Sequence, residues 1–365
     1  MTRDTLTLCL AGDAMTGRGI DQIQQHPGDP TLHEQLVRDA RDYVRLAEAV
    51  HGPVPAPVAP AYIWGEALAE IERHAPDLRL VNLETAVTTA DAPWPGKGVH
   101  YRMHPANVGC LTAARIDCCA LANNHVLDFE VRGLRDTLHA LDAAGIRHAG
   151  AGLDLEAAAA PALLEVHGAS PCRVALLACT DNQPDFAATG QHPGTHYLEV
   201  SLEADTLARV ADAIGRARAA GADWVVFSNH WGANFVERPA PDFREFARHV
   251  IELGADVVYG HSAHICQGIE IHRGKPILYD TGDFIDDYAV DPVLRNDRSC
   301  LFKLMFDQGR LQRIELVPVT LDIARVALAH GADFEAIAVR MERLCGELGT
   351  ALQHHAGRLV YEAQP

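Results

Sequence analysis

The stretch LANNHVLDFE, residues 121–130, follows a run of small apolar residues and ends it with polar side chains. Its first five residues complete the run IDCCALANNH, residues 116–125. This pattern is typical of a buried β-strand that stops at Asn123, Asn124 and His125. Asp128 follows three residues after the histidine. Two interpretations are open here: an asparagine-rich turn before a helix, or a metal site with a proton-transfer histidine beside it.

Short apolar runs alternate with helical patterns along the rest of the chain. Runs of strand length occupy residues 6–13, 78–84, 116–125, 174–182, 223–232, 256–264 and 276–284. Helical periodicity is found in residues 131–146, 201–221 and 241–254. This alternation predicts an α/β fold whose strands are covered on both faces. After residue 300 the pattern predicts a hairpin that turns at Asp307 to Arg310, then a helix over about 332–353.

Composition excludes several classes of partner. The 365 residues are 48% hydrophobic and carry a formal net charge of −18, which opposes binding to nucleic acid or to an anionic membrane. No apolar run approaches the about 18 residues of a membrane helix, and the first run is too short for a signal peptide. Nine scattered cysteines without a CxxC pair suit a reducing compartment. We therefore expect a cytoplasmic protein, and the sequence leaves its oligomeric state open.

Side chains with metal-binding chemistry fall at the ends of the predicted strands. They are Asp13, Glu84, Asn124 with His125, His230, His261 with His264, and Asp283. Because ligands of open α/β sheets bind beyond the carboxyl ends of the strands, we expect these side chains to meet. Carboxylate, amide and imidazole groups bind hard or borderline divalent ions. Each residue alone is more typical of a helix cap or an ordinary histidine, but the set favours one shared site.

Six blocks of the sequence resemble the CapA family of poly-γ-glutamate capsule-synthesis proteins, which belongs to the calcineurin-like metallophosphatase superfamily. The blocks are AGDAMTGRGID (11–21), VNLET (81–85), LANNHVLD (121–128), NHWG (229–232), GHSAHICQGIE (260–270) and LYDTGDF (278–284). Their order and spacing match over about residues 5–325. The resemblance implies a four-layer αββα sandwich, here a single domain over residues 1–365 with the C-terminal hairpin and helix. It also implies a site for one or two divalent ions at one end of the two sheets.

The resemblance also implies roles for individual residues. It implies the metal ligands Asp13, Glu84, Asn124, His230, His261 and His264, with Glu84 in the place of a bridging carboxylate. His125 matches the family's catalytic histidine, and Arg18 matches an arginine expected to face the substrate. We expect Asp128 to orient His125, as carboxylates beside metal sites commonly do. Lys97 and Arg102 offer positive charge to a substrate, and Trp94 and Trp231 offer rings that could stack on it.

Three positions depart from the family pattern. Met15 stands where the superfamily has a histidine, which leaves one ion with fewer protein ligands. Ser262 replaces the middle histidine of the family's GHHPH block. Asp283 replaces an asparagine, and Asp286 and Asp287 follow it closely.

Extra carboxylates near the ions disfavour a dianionic phosphoester and suit a neutral carbonyl compound such as a peptide. With His125 and Asp283 as acid/base groups on opposite faces, the first hypothesis is Cα epimerisation of a peptide residue in ribosomal-peptide biosynthesis. The alternatives are a poly-γ-glutamate biosynthesis protein or metal-dependent hydrolase or phosphoesterase, and a non-catalytic binding or assembly protein. The metal stays open between Mn²⁺, Mg²⁺, Zn²⁺, Fe²⁺ and Ca²⁺.

Overall fold

The computed structural model describes residues 5–73, 75–167, 171–322 and 324–364. These residues form two large β-sheets with helices on their outer faces, and two small sheets in which β3 pairs with β4 and β7 with β10. The strands, numbered along the chain, are β1 (Thr5–Ala14), β2 (Leu78–Leu83), β3 (Ala86–Val87), β4 (Arg102–Met103), β5 (Cys118–Ala120), β6 (Arg147–Ala149), β7 (Ala151–Gly152), β8 (Ala162–Val166), β9 (Cys172–Thr180), β10 (Gly194–Thr195), β11 (Trp224–His230), β12 (Val257–His261), β13 (Ile269–His272), β14 (Lys275–Leu278), β15 (Asp283–Ile285), β16 (Arg298–Asp307), β17 (Arg310–Asp322), β18 (Arg325–Leu328), β19 (Gln353–His355) and β20 (Arg358–Glu362). The α-helices are α1 (Arg18–Gln22), α2 (Arg41–His51), α3 (Ala67–Glu72), α4 (Gly109–Ala113), α5 (Glu130–Ala143), α6 (Leu155–Ala158), α7 (Ala204–Ala219), α8 (Pro241–Glu252) and α9 (Gly331–Gly346).

The two sheets place the carboxyl ends of their parallel strands at a common edge. The larger sheet has the strand order β19-β20-β17-β16-β1-β2-β5-β6, with β15 also paired to β1 and β18 to β17. The smaller sheet has the order β13-β14-β12-β11-β9-β8. Strands β1, β2, β5 and β6 run parallel in the first sheet, and β9, β11, β12 and β14 do so in the second. Residues at these strand ends are therefore the ones that can meet.

Hydrophobic residues divide the molecule into four layers. One core lies between the sheets, where Leu8 of β1 and Leu176 of β9 are both buried. Successive residues of a strand point to opposite faces, so Cys9 of β1 belongs to a second core with Leu134 of α5. A third core covers the other face of the smaller sheet with α7 and α8. The order of helix, sheet, sheet and helix confirms the predicted four-layer αββα sandwich.

The sequence predicted one strand over residues 276–284, and this prediction is wrong. This segment contributes β14 to the smaller sheet and β15 to the larger one, so the chain crosses between the sheets at this point. Gly282 makes the crossing with a left-handed φ of +68°. Its carbonyl oxygen accepts a hydrogen bond from the N–H of Asp13 at 2.9 Å. Asp13 and Asp283 become neighbours in register.

The C-terminal region contains the predicted hairpin and a shorter helix than expected. β16 and β17 turn between Asp307 and Arg310, as predicted. The helix expected over about 332–353 ends at Gly346, and Gly349 has a left-handed φ of +81° that breaks the helical path. β19 and β20 follow, a second hairpin that the sequence did not predict.

No helix in the described part of the chain combines the length and the apolar character needed to cross a membrane. The nine cysteines are all buried, as the apolar runs around most of them predicted. The single domain and the cytoplasmic location stay predictions.

The approach of β1 to the crossing leaves no room for a side chain at Gly12. A Cβ placed there would lie 1.8 Å from the carbonyl oxygen of Gly282, which is backbone and cannot swing away. We expect Gly12→Ala to lower the free energy of unfolding by about 3 kcal/mol. Gly215→Ala is the control, because a Cβ at that position in α7 meets nothing within 4 Å.

The control should raise the free energy of unfolding by about 0.5–1 kcal/mol, since alanine has the higher helix propensity. Urea denaturation of both variants measures the two changes. A Gly12→Ala protein as stable as the wild type would contradict the tight crossing.

Candidate metal centre

The polar strand ends meet at one edge of the sandwich, where both sheets contribute side chains. The larger sheet supplies Asp13 at the end of β1, Glu84 after β2, Asn124 and His125 after β5, and Asp283 at the start of β15. The smaller sheet supplies His230 and His261, which pair in register at the ends of β11 and β12. Strand register thus sets the spacing of these polar side chains. The structure brings together the residues that the sequence predicted to meet at the strand ends.

Two groups of side chains have the arrangement of metal ligands. Asp13, His230 and His261 form one group, and Asp13, His264 and Asp283 form the other, with the ligand atoms of each group within 4.8 Å of one another. His264 Nδ1 lies 3.3 Å from Asp13 Oδ2 and 2.7 Å from Asp283 Oδ1. Asp13 is therefore the carboxylate common to both groups, a position that the resemblance gave to Glu84. Asp283 supplies the second carboxylate of the group that contains His264.

Glu84 stands beside these groups and faces His125. Its Oε1 lies 3.7 Å from His125 Nε2 and 3.9 Å from His230 Nε2. Asn124 follows β5 and its side-chain oxygen is buried at the same edge. Glu84 is in neither group of three, and its Oε1 and the Oδ1 of Asn124 both lack a hydrogen-bond partner.

Unpartnered oxygen atoms show that the residues present suit a cation. The buried side-chain oxygens without a hydrogen-bond partner in the described residues include five at or beside these strand ends: Asp13 Oδ2, Glu84 Oε1, Asn124 Oδ1, Asp283 Oδ2 and Asp286 Oδ2. Buried polar atoms are normally paired, so a cluster of exceptions calls for an explanation. Carboxylate and amide oxygens together with imidazole nitrogens are ligands of divalent ions. The donor set fits one or two such ions.

The pKa values of the acidic side chains at this site also indicate that it favours additional positive charge. Burial, and then the charge of Asp13, raises the pKa of the Glu84 carboxyl well above its usual range. Burial likewise raises the pKa of Asp283, and of Asp286 beside it. Burial alone would raise the pKa of Asp13, but His264, together with His261 and His230, lowers the value to about 2. Asp13 and Glu84 in turn raise the pKa of His264 to about 9, against the effect of burial.

His125 is held by a carboxylate on the side away from the ligand groups. Its Nδ1 lies 2.6 Å from Asp128 Oδ2, and Lys97 forms an ion pair with the other oxygen of Asp128. The backbone N–H of Tyr101 also donates to Asp128 Oδ2, at 2.6 Å. Lys97 Nζ lies 3.0 Å from the same Nδ1, farther away than Asp128 Oδ2. A carboxylate can only accept, so the shorter contact is a hydrogen bond in the tautomer with the proton on Nδ1, which leaves Nε2 to face Glu84. Burial lowers the pKa of His125 to about 4, which keeps the imidazole neutral.

The predicted cationic substrate contacts already have carboxylate partners. Arg18 is buried, and its guanidinium lies 2.9 Å from Asp287 Oδ1 and 3.1 Å from Glu34 Oε1. Lys97 is paired with Asp128, beside His125. The pairing of Arg18 with Asp287 also explains why Asp287 does not reach the ligand groups, whereas Asp286 lies next to Asp283.

The remaining predicted substrate contacts are occupied within the protein. The Trp94 ring packs edge-on against Phe186, with ring centroids 4.7 Å apart. Trp231 is buried in the outer core of the smaller sheet and donates its indole N–H to the carbonyl of Tyr279 at 2.9 Å. Arg102 donates to backbone carbonyls, among them that of Ala90. These positions do not favour contact with a substrate, and the assigned roles stay predictions.

The sequence interpretation missed Asn82, which lies among the predicted ligands. Its Nδ2 donates to Asp13 Oδ1 at 2.7 Å and lies 3.2 Å from Glu84 Oε2. One signal was available: Asn82 continues the inward-facing row of Leu78 and Leu80, where an apolar residue is expected. A lone amide in such a row requires hydrogen-bond partners.

Comparison with known proteins identifies the family. The model of the family described as bacterial capsule synthesis protein PGA_cap matches residues 7–288. The chain belongs to this family. It is 41% identical over 353 residues to a "probable polyglutamine synthesis accessory protein" of Mycobacterium tuberculosis, covering 95% of this chain and 93% of that relative. It is 26% identical over 319 residues to the capsule biosynthesis protein CapA of Bacillus anthracis, covering 87% of this chain and 68% of the relative.

These matches confirm the resemblance to CapA predicted from the sequence blocks. Among solved structures, the sulfate thiohydrolase SoxB of Thermus thermophilus aligns with a TM-score of 0.46 and 14% identity, covering 93% of this chain and 60% of that one. This likeness is too weak to bear on the fold or the function of the chain.

Replacing Asp283 should have opposite effects with and without a divalent ion. Asp283→Asn keeps an oxygen that can accept from His264 but removes one of the buried like charges. We expect the melting temperature of the EDTA-treated protein to rise and its further rise on adding Mn²⁺ to shrink, because a ligand is lost. Differential scanning fluorimetry measures both quantities.

Asp21→Asn is the matched control, because Asp21 is also a buried aspartate but accepts its hydrogen bonds from Gly28, His104 and Asn107. It should not change the Mn²⁺ response. An unaltered response in Asp283→Asn would remove Asp283 from the ligand set.

Proposed function

We propose that this protein is a divalent-metal-dependent enzyme that hydrolyses an amide bond of a neutral, glutamine-rich peptide during synthesis of such a polymer. The observation that carries the proposal is the position of His125. Its Nε2 lies 3.7 Å from Glu84 Oε1, beside the ligand groups, and its Nδ1 lies 2.6 Å from Asp128 Oδ2. This is the arrangement of an oriented general acid/base beside a metal centre.

The charge of the surroundings supports a neutral substrate. Asp13, Glu84 and Asp283 are buried together, and the cations predicted to face the substrate, Lys97 and Arg18, already pair with carboxylates. One divalent ion would offset two of these three carboxylate charges, so a phosphoester dianion would still meet negative charge, whereas an amide carbonyl would not be repelled. The Mycobacterium tuberculosis relative is named for polyglutamine synthesis, and the glutamine side chain is uncharged. An uncharged polymer therefore suits the site better than a polyanion does.

The chemistry needs one acid/base group, which the chain provides. When bound, divalent ions in such a centre polarise a carbonyl oxygen and make water a stronger nucleophile. His125 Nε2 accepts the proton of the attacking water, and the C–N bond breaks as the same proton passes to the departing amine nitrogen. Asp128 holds the imidazole in the required tautomer and stabilises its positive charge between the two transfers.

The arrangement favours hydrolysis over the epimerisation expected first. Epimerisation needs a second acid/base group on the opposite face of the Cα atom, and Asp283 was expected to supply it. One Asp283 oxygen is hydrogen-bonded to His264, and the residue belongs to a ligand group. Hydrolysis makes no such demand on Asp283.

The test is incubation of the protein and Mn²⁺ in D₂O with a lysine-flanked decaglutamine peptide, followed by mass spectrometry. We expect peptide fragments, lost with EDTA and reduced about a hundredfold or more in His125→Ala. His139→Ala is the control, because His139 is exposed on α5 and lies outside the ligand groups. A γ-glutamyl oligomer and p-nitrophenyl phosphate are assayed in parallel.

Each other product contradicts the proposal in a different way. An intact peptide heavier by one deuterium would establish Cα exchange and restore epimerisation. Release of nitrophenol without peptide cleavage would make the protein a phosphoesterase. Metal uptake with no turnover of any probe would favour the binding or assembly protein.

A second variant tests the carboxylate behind the histidine. Asp128→Asn should lower kcat by about ten- to a hundredfold, because the imidazole loses its fixed tautomer and charge partner. Its metal content should not change, since Asp128 is in neither ligand group. Asp142→Asn breaks a similar pair at the surface, with His148 3.2 Å away, and should leave kcat unaltered. Steady-state kinetics and elemental analysis measure the two quantities, and equal kcat values for the two variants would argue against the acid/base role of His125.

A further inference from the structure

The orientation of the Asn123 side chain is fixed by the loop that follows it. Its Oδ1 accepts hydrogen bonds from the backbone N–H groups of His125 at 3.0 Å and Val126 at 3.1 Å. Only the oxygen of an amide accepts, so the Nδ2 atom must point the other way. There it donates to the carbonyl of Leu83 at 2.9 Å and to Asn82 Oδ1 at 3.0 Å.

The orientation of Asn82 follows from that of Asn123. Because its Oδ1 accepts from Asn123, its Nδ2 turns toward the carboxylates of the metal centre. That nitrogen lies 2.7 Å from Asp13 Oδ1 and 3.2 Å from Glu84 Oε2. Nδ2 has two protons, so each carboxylate can receive one.

Each carboxylate thereby accepts a hydrogen bond from this amide through one oxygen. His264 Nδ1 lies 3.3 Å from the other oxygen of Asp13 but is hydrogen-bonded to Asp283. The other oxygen of each, Asp13 Oδ2 and Glu84 Oε1, accepts no hydrogen bond within the described part of the chain. We propose that Asn82 and Asn123 are positioning residues, an amide relay that commits one oxygen of each carboxylate to the protein and leaves the other for a divalent ion. This inference rests on the metal centre of the proposed function and adds the residues that set its geometry.

The relay also links the carboxylates to the general acid/base. The Asn123 oxygen that fixes the relay holds the backbone N–H of His125 as well. A shift of this amide would therefore move the histidine and release the carboxylates together. Because the two asparagines act in series, losing either one should have the same consequence for ion binding as losing both.

Mn²⁺ titration calorimetry on the EDTA-treated full chain tests the relay without requiring turnover. Asn82→Leu removes the donor to both carboxylates. Asn123→Asp keeps the acceptor for the loop but removes the donor to Asn82, so the Asn82 amide should turn its oxygen toward Asp13. We expect each variant to bind Mn²⁺ about tenfold or more weakly than the wild type. The double variant should bind no more weakly than Asn82→Leu.

Asn107→Leu is the matched control for loss of a buried amide. Asn107 is 4% exposed and donates to Asp21 Oδ1 at 2.7 Å, outside both ligand groups. It should lower the melting temperature and leave the Mn²⁺ affinity unchanged, which separates positioning from general stabilisation. If Asn82→Leu does not fold, Asn123→Asp decides the question.

The outcomes separate this inference from the proposed function. Wild-type affinity in the folded relay variants overturns the relay alone, and so does an additive loss in the double variant. A wild-type protein that binds no Mn²⁺ overturns both. A loss of affinity in Asn107→Leu equal to that in Asn82→Leu would reduce the relay to ordinary core stabilisation.

Discussion

Burial of like charges is the constraint on which the rest of the structure depends. Asp13, Glu84, Asp280 and Asp283 are each no more than 1% exposed and lie at one edge of the sandwich. Carboxylates out of water repel one another strongly unless protons or cations compensate them. The surrounding structure provides partial compensation: imidazoles from the smaller sheet, backbone N–H groups that donate to Asp280, and the amide of Asn82. The oxygens left over define where further positive charge belongs.

The α/β class of the fold was predictable because it follows from local patterns. Apolar runs and helical periodicity identified the six longest strands and the four longest helices of the described residues, but few of the short ones. The hairpin that turns at Asp307 was predictable from residue pattern alone. The rule that ligands gather beyond carboxyl strand ends predicted the meeting of Asp13, His125, His230 and His261. The four-layer arrangement came from the family resemblance, since alternation of strands and helices by itself indicates only an α/β class.

What the sequence did not yield depends on contacts between distant residues. An apolar run has the same appearance whether it stays in one sheet or crosses to another, so the division of residues 276–284 could not be read from it. The same holds for Arg18 and Trp231, whose side chains look available in the sequence but are occupied by Asp287 and Tyr279. Asn82 was visible as a polar residue in an apolar row, but its partners lie on three other segments of the chain.

The division of the ligand set between two sheets has a thermodynamic consequence. The smaller sheet carries His230 and His261, and the larger sheet carries Asp13 and Asp283. An ion bound by residues of both sheets cannot stay bound when the sheets separate. Ion uptake and docking of the sheets are then one linked equilibrium. At a free ion concentration about one hundred times Kd, such linkage contributes about 2.7 kcal/mol to stability. The abundance of the folded protein would follow the supply of divalent ions around it.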